Sequence, residues 1–94
     1  MEFRHVDPGL LRLPSGRQNG AVRSRYQRQV RQFGANATDM PSIEVTEGQA
    51  GELMINGGVT RATRIQYLAP GQTVPVEIID VRPAENFLEI PSRL

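Results

Sequence analysis

The 94-residue chain contains no cysteine. That excludes a disulfide framework, a thiol nucleophile and a thiolate metal site. His5 is the only histidine, so neither a histidine-based metal site nor a Ser/His/Asp triad can be assembled readily. Its place near the N-terminus reads as a surface position. Lysine is absent as well, and all eleven basic residues are arginine. Arginine forks onto phosphate and carboxylate in a way lysine does not, although a chain wholly without lysine also fits a bias of genome composition. No apolar run approaches the length of a membrane span, and Met-Glu-Phe-Arg-His lacks a signal-peptide core. A cytoplasmic protein with no membrane partner is the expectation. The length suits one small domain with one modest core.

Net charge is only +1, but it is unevenly spread. Residues 1–40 hold seven arginines against Glu2, Asp7 and Asp39, a balance of +4. Residues 41–94 hold four arginines against seven acids, a balance of −3. The basic half lends support to a polyanionic partner.

The hydrophobic pattern predicts the elements in order. Pro8 and Pro14 bracket the short apolar segment Leu10–Leu13, which reads as an edge strand or an extended piece entering a loop. A polar loop over residues 14–19 follows, with Arg17 at its centre. Val22, Tyr26, Val30 and Phe33 form one apolar stripe of a helix over 20–33, with Gly34 as its stop. Arg23, Arg25, Arg28 and Arg31 occupy the rest of that helix and could meet nucleic acid; the alternative is a solvated exterior. Tyr26 lies on the stripe, so no exposed stacking platform is expected. Residues 42–46 alternate as a half-buried strand, 52–55 return as its hairpin partner, and 73–81 form a β-branched strand. Pro75 suggests that this last strand is an edge, or that it begins there. The tail over 82–94 reads as an extended segment.

The most informative stretch is Glu52–Leu68. A strand ends in Asn56-Gly57-Gly58, and Val59, Ala62, Ile65 and Leu68 then recur at helical spacing, with Arg61 and Arg64 on a neighbouring face. The first N–H groups of a helix have no internal partner and sit at its positive pole, while glycine permits close approach. The pattern predicts an anion cradle of Gly57, Gly58 and the N–H groups of Val59, Thr60 and Arg61, with the Thr60 hydroxyl as donor. Arg61 would fork onto a phosphate, and Arg17 could reach in from its loop. An ordinary strand-to-helix turn with wet arginines is the alternative.

The resulting α+β order, β-α-β-β-α-β with a mixed sheet, resembles the ParB/sulfiredoxin superfamily between about residues 6 and 80. Val30-Arg-Gln-Phe-Gly34 is similar to that family's helix end, Met40-Pro-Ser-Ile-Glu-Val45 to its x-P-I-x-V strand, and Thr73–Asp80 to its closing V-P-V strand. Gly51–Arg61 resembles the hallmark D-G-x-x-x-I-x-G-x-x-R-x-x-A. The resemblance implies a ParB-like fold and a phosphate or nucleotide ligand at the glycine turn. Sulfiredoxins carry a catalytic cysteine in a Gly-Gly-Cys-His-Arg turn; Val59 stands in its place, which excludes that reductase chemistry. ParB-type partition proteins hold nucleotide phosphates with Gly-Glu-Arg-Arg, of which only Gly58 and Arg61 remain. Glu85-Asn86 is faintly similar to a family Glu-Asn motif but lacks the helix that should carry it. The length leaves no room for a helix-turn-helix or a dimerisation domain, so a stand-alone module is expected. The other readings are a protein-interaction domain whose site has decayed, and a nuclease or nucleotide hydrolase. For the last, Glu44, Glu52 and Glu77 are scattered and match no metal motif.

Overall fold

The computed structural model describes residues 2–14, 16, 19–82 and 88–89. They form an α+β domain in which a mixed sheet carries the core on one face. The strands are β1 (Glu2–Val6), β2 (Leu11–Leu13), β3 (Ile43–Glu47), β4 (Leu53–Gly57), β5 (Val74–Val81) and β6 (Leu88–Glu89). The helices are α1 (Arg23–Phe33) and α2 (Val59–Leu68). The strands lie in the order β1-β5-β3-β4-β2-β6. The β1–β5, β3–β4 and β2–β6 pairs are antiparallel, and β3–β5 and β2–β4 are parallel.

The alternation within the strands decides which face is buried. Leu11, Leu13, Ile43, Val45, Leu53, Ile55, Val74, Val76 and Ile78 point to one side and are buried. Val59, Ala62 and Ile65 of α2 complete the same cluster. Burying each of these Leu, Ile and Val side chains contributes about 1.5–3 kcal/mol before the ordering cost is counted. The β3–β4 hairpin supplies the centre of the sheet. Its ladder slips between Glu44 and Val45, leaving Asn56 as an extra residue on β4. The Asn56 Nδ2 then donates to the Thr46 hydroxyl at 2.7 Å, a bulge that turns the end of β4 toward α2.

Four differences from the sequence reading have physical causes. β1 was not expected, because Glu-Phe-Arg-His-Val shows no clean alternation; it is held by its ladder with β5 and by Arg4, which pairs with Glu2 and lies 3.7 Å from Glu47. With β1 in place β5 is internal, so the edge reading of Pro75 is corrected. Pro75 sits at the second residue of the strand, where its missing N–H is tolerated. Helix α1 starts at Arg23 rather than residue 20, after Gly20 at φ 79°. Finally, its apolar stripe is only partly covered: α1 has no buried residue, and Val22 and Phe33 are 44% and 47% exposed. Arg17 and the Glu85-Asn86 pair lie outside the described residues, as does most of the tail. Among the described residues no helix is long and apolar enough to cross a membrane.

Candidate functional site

β4 runs through Asn56 and Gly57, and the chain breaks only at Gly58, the N-cap of α2. Gly58 has φ 111° and ψ 21°, and α2 begins with no side-chain cap and no acid in its first turn. The first hydrogen bond within the helix runs from the Ala62 N–H to the Gly58 carbonyl at 3.0 Å. The N–H groups of Val59, Thr60 and Arg61 therefore have no partner inside the helix. Most helices answer this with Ser, Thr, Asp or Asn at the N-cap. Here no side chain does so.

What occupies the position is a second positive group. Arg61 folds back so that its guanidinium lies over Gly58. A Cβ on Gly58 would meet Arg61 Nη2 at 2.8 Å, Arg61 Cζ at 3.2 Å and Ile43 Cγ1 at 3.1 Å. Gly58 is thus required by its φ and favoured by its 3.1 Å approach to Ile43 Cγ1, while the Arg61 fork is the movable end of a long side chain. Arg61 is half-buried, and its Nε is buried without a hydrogen-bond partner. None of the described carboxylates forms an ion pair with it. Glu44 and Glu77, the acids best placed by sequence to neutralise it, do not. The Glu44 carboxylate lies over the neighbouring Gly57 instead, 3.3 Å from where a Cβ would be.

Of the predicted cradle, Gly57 through Arg61 are contiguous in space as in sequence. The Val59 side chain is buried in the core, so only its N–H is available. Thr63 bonds back to the Val59 carbonyl at 2.7 Å, while the Thr60 hydroxyl has no such tie. Arg61 also opens onto a cavity of about 70 Å³. Its other walls are Gln29 and Phe33 of α1, the 36–41 loop and Arg64. None of Gly57 to Thr60 lines it; Arg61 alone joins the helix mouth to the cavity. Asp39, at φ 58°, is the one acid in its wall. The 36–41 loop was not expected to take part, although Asn36 and Asp39 are residue types that favour turns and left-handed backbone.

Arg64 has a different role from its neighbour. It is 2% exposed, and no carboxylate accounts for it. Its Nη1 donates to the carbonyls of Gly34 and Asn36 at 2.7 and 2.8 Å, and its Nε to Gln29 Oε1 at 3.3 Å. The guanidinium also stands 5.2 Å from the centre of the Phe33 ring. The acceptors are at the C-terminal end of α1, where carbonyls are unpaired and the helix pole is negative. Burial depresses the Arg64 pKa, with nearby Tyr26 acting the other way. A T-shaped contact between Tyr26 and Tyr67, centroids 6.1 Å apart, continues the seam between the helices.

A larger recess of about 400 Å³ lies beside β1 and β2, but its Arg4 is committed to Glu2 and Glu47, and Arg12 has an interaction of its own. Among the described residues no three His, Asp or Glu side chains gather as a metal site. No family model matches this chain, and no curated protein or solved structure matches it.

Proposed function

We propose that this chain is a phosphate- or nucleotide-binding module of ParB-like fold, with its anion at the Gly58 turn. One observation carries the reading: an uncapped helix start and the unpaired guanidinium of Arg61 converge on one glycine. Two positive features at one point repel each other and leave buried hydrogen-bonding capacity unused. An anion relieves both. Its oxygens would take the N–H groups of Val59 to Arg61 and the Arg61 fork.

The cavity limits what lies beyond the phosphate. About 70 Å³ is well below the 300–1,000 Å³ of sites that engulf a small molecule. A nucleoside would rest on the open surface. Glu44 lies over Gly57 and Asp39 lines the cavity beside Arg61, and both oppose a highly charged ligand, so binding is modest in strength.

The test is a titration of the full chain with inorganic phosphate, tripolyphosphate and a nucleoside triphosphate, read by amide shifts and by melting temperature. Shifts centred on residues 58–61 are expected. At a ligand concentration a hundredfold above Kd, stabilisation is about 2.7 kcal/mol. Arg61→Ala should weaken binding about tenfold or more with little loss of stability, since the charge-assisted bond is worth roughly 1.5–3 kcal/mol. Asp39→Asn and Glu44→Gln should tighten it. Unmoved amides and an unmoved melting curve with all three ligands would refute the proposal and leave an interaction domain without a small ligand as the better reading.

A further inference from the structure

The two helices carry six arginines and not one acid. Arg64 is consumed by the seam and Arg61 by the turn, but Arg23, Arg25, Arg28 and Arg31 are all exposed on α1. Among the described residues none of these four has an ion-pair partner. Acids elsewhere in the described chain sit on strands and loops. The helix meets α2 through the half-buried residues Tyr26, Gln29 and Val30, and among the described residues no other helix or strand packs extensively on the opposite arc. On that arc every exposed position is Arg, Gln or Ser, and Phe33 stands on the α2 side against Arg64.

We infer that α1 is a docking surface for duplex DNA, independent of the anion site at Gly58. Charge complementarity supports the phosphate backbone as occupant, and the side-chain chemistry narrows it. Arginine, glutamine and serine bond to phosphates and base edges alike. A helix lying on a membrane needs its apolar side against lipid, and here the centre of that side, Tyr26 and Val30, is half-buried and the Tyr26 and Phe33 rings meet Tyr67 and Arg64 of α2. A protein interface would centre on aromatic or aliphatic anchors, which the opposite arc does not have. Eleven residues make a helix of about 16 Å, spanning about five base-pair steps. The B-form major groove, about 12 Å wide, admits such a helix, whereas the deep, narrow groove of A-form RNA does not.

The experiment uses the full chain and a fluorescein-labelled mixed-sequence DNA duplex of about 20 base pairs, with anisotropy followed against salt. Four phosphate contacts predict a slope of log K on log salt near −3.6. Arg25→Gln with Arg28→Gln should reduce that slope by about 1.8, and Arg23→Gln with Arg31→Gln should do the same. These side chains are exposed, so circular dichroism of both pairs should match the parent. Arg82→Gln, on the sheet side, should leave the slope alone. Absence of binding at low salt overturns the inference, as does an unchanged slope in both paired variants. Tighter binding to a single strand or to phosphatidylserine vesicles overturns it too.

Discussion

At Gly58 a hydrogen in place of a methyl group decides both stability and access. Adding Cβ forces a φ of 111° on a residue type that avoids it and drives a contact of 2.8 Å into the Arg61 fork. Gly58→Ala is expected to cost about 1–3 kcal/mol or more, whereas Arg61→Ala should change stability far less. Combining the two separates the causes in urea or thermal melts. Truncating Arg61 removes one obstruction, but the backbone angle and the 3.1 Å approach to Ile43 remain. A double variant as stable as Arg61→Ala alone would show that the angle is not strained. The glycines and Arg61 were legible in the sequence because the strand-to-helix change of period falls on them. The burial of the Arg61 Nε was not, since it depends on a side chain folding backward over the turn.

At the level of elements, the joint between α1 and α2 rests on Arg64. Replacing it with methionine preserves bulk but leaves the Gly34 and Asn36 carbonyls without their donor. The expected loss is about 2–4 kcal/mol. It should appear locally first: hydrogen exchange should show α1 amides losing protection while β3 and β4 keep theirs. Uniform loss across the domain would mean that α1 is integral to the core. The stretches that alternate or repeat cleanly, β3, β4, α2 and β5, could be read from the chain within a residue or two. Arg64 could not. Arginine is ordinarily an exposed residue, and its acceptors here are backbone carbonyls that no sequence pattern advertises. The partly covered stripe of α1 was misleading for the converse reason: periodicity shows that one face is apolar, not how much of it finds a partner.

For the whole molecule, charge follows architecture. Arg25, Arg28 and Arg31 succeed one another at spacings that place like charges side by side on one helix, each pair destabilising by about 0.2–0.5 kcal/mol. The opposing ion pairs, Arg4 with Glu2 and Arg82 with Asp80, are exposed and contribute little. Raising salt to about 0.2 M should therefore increase the melting temperature by screening the helix more than it weakens those pairs. A fall would assign net stability to the surface pairs instead.

The placing of β1 bears on how the chain is made. Val6 is paired with Val74 and Glu2 with Ile78, so β1 meets its neighbour only after β2, β3, β4 and both helices have been synthesised. At about 5–20 residues per second, that is a wait of several seconds. During it the β3–β4 hairpin has its partner strand close by in sequence, whereas β1 has none until β5 is made. Late closure of β1 onto β5 would complete the sheet.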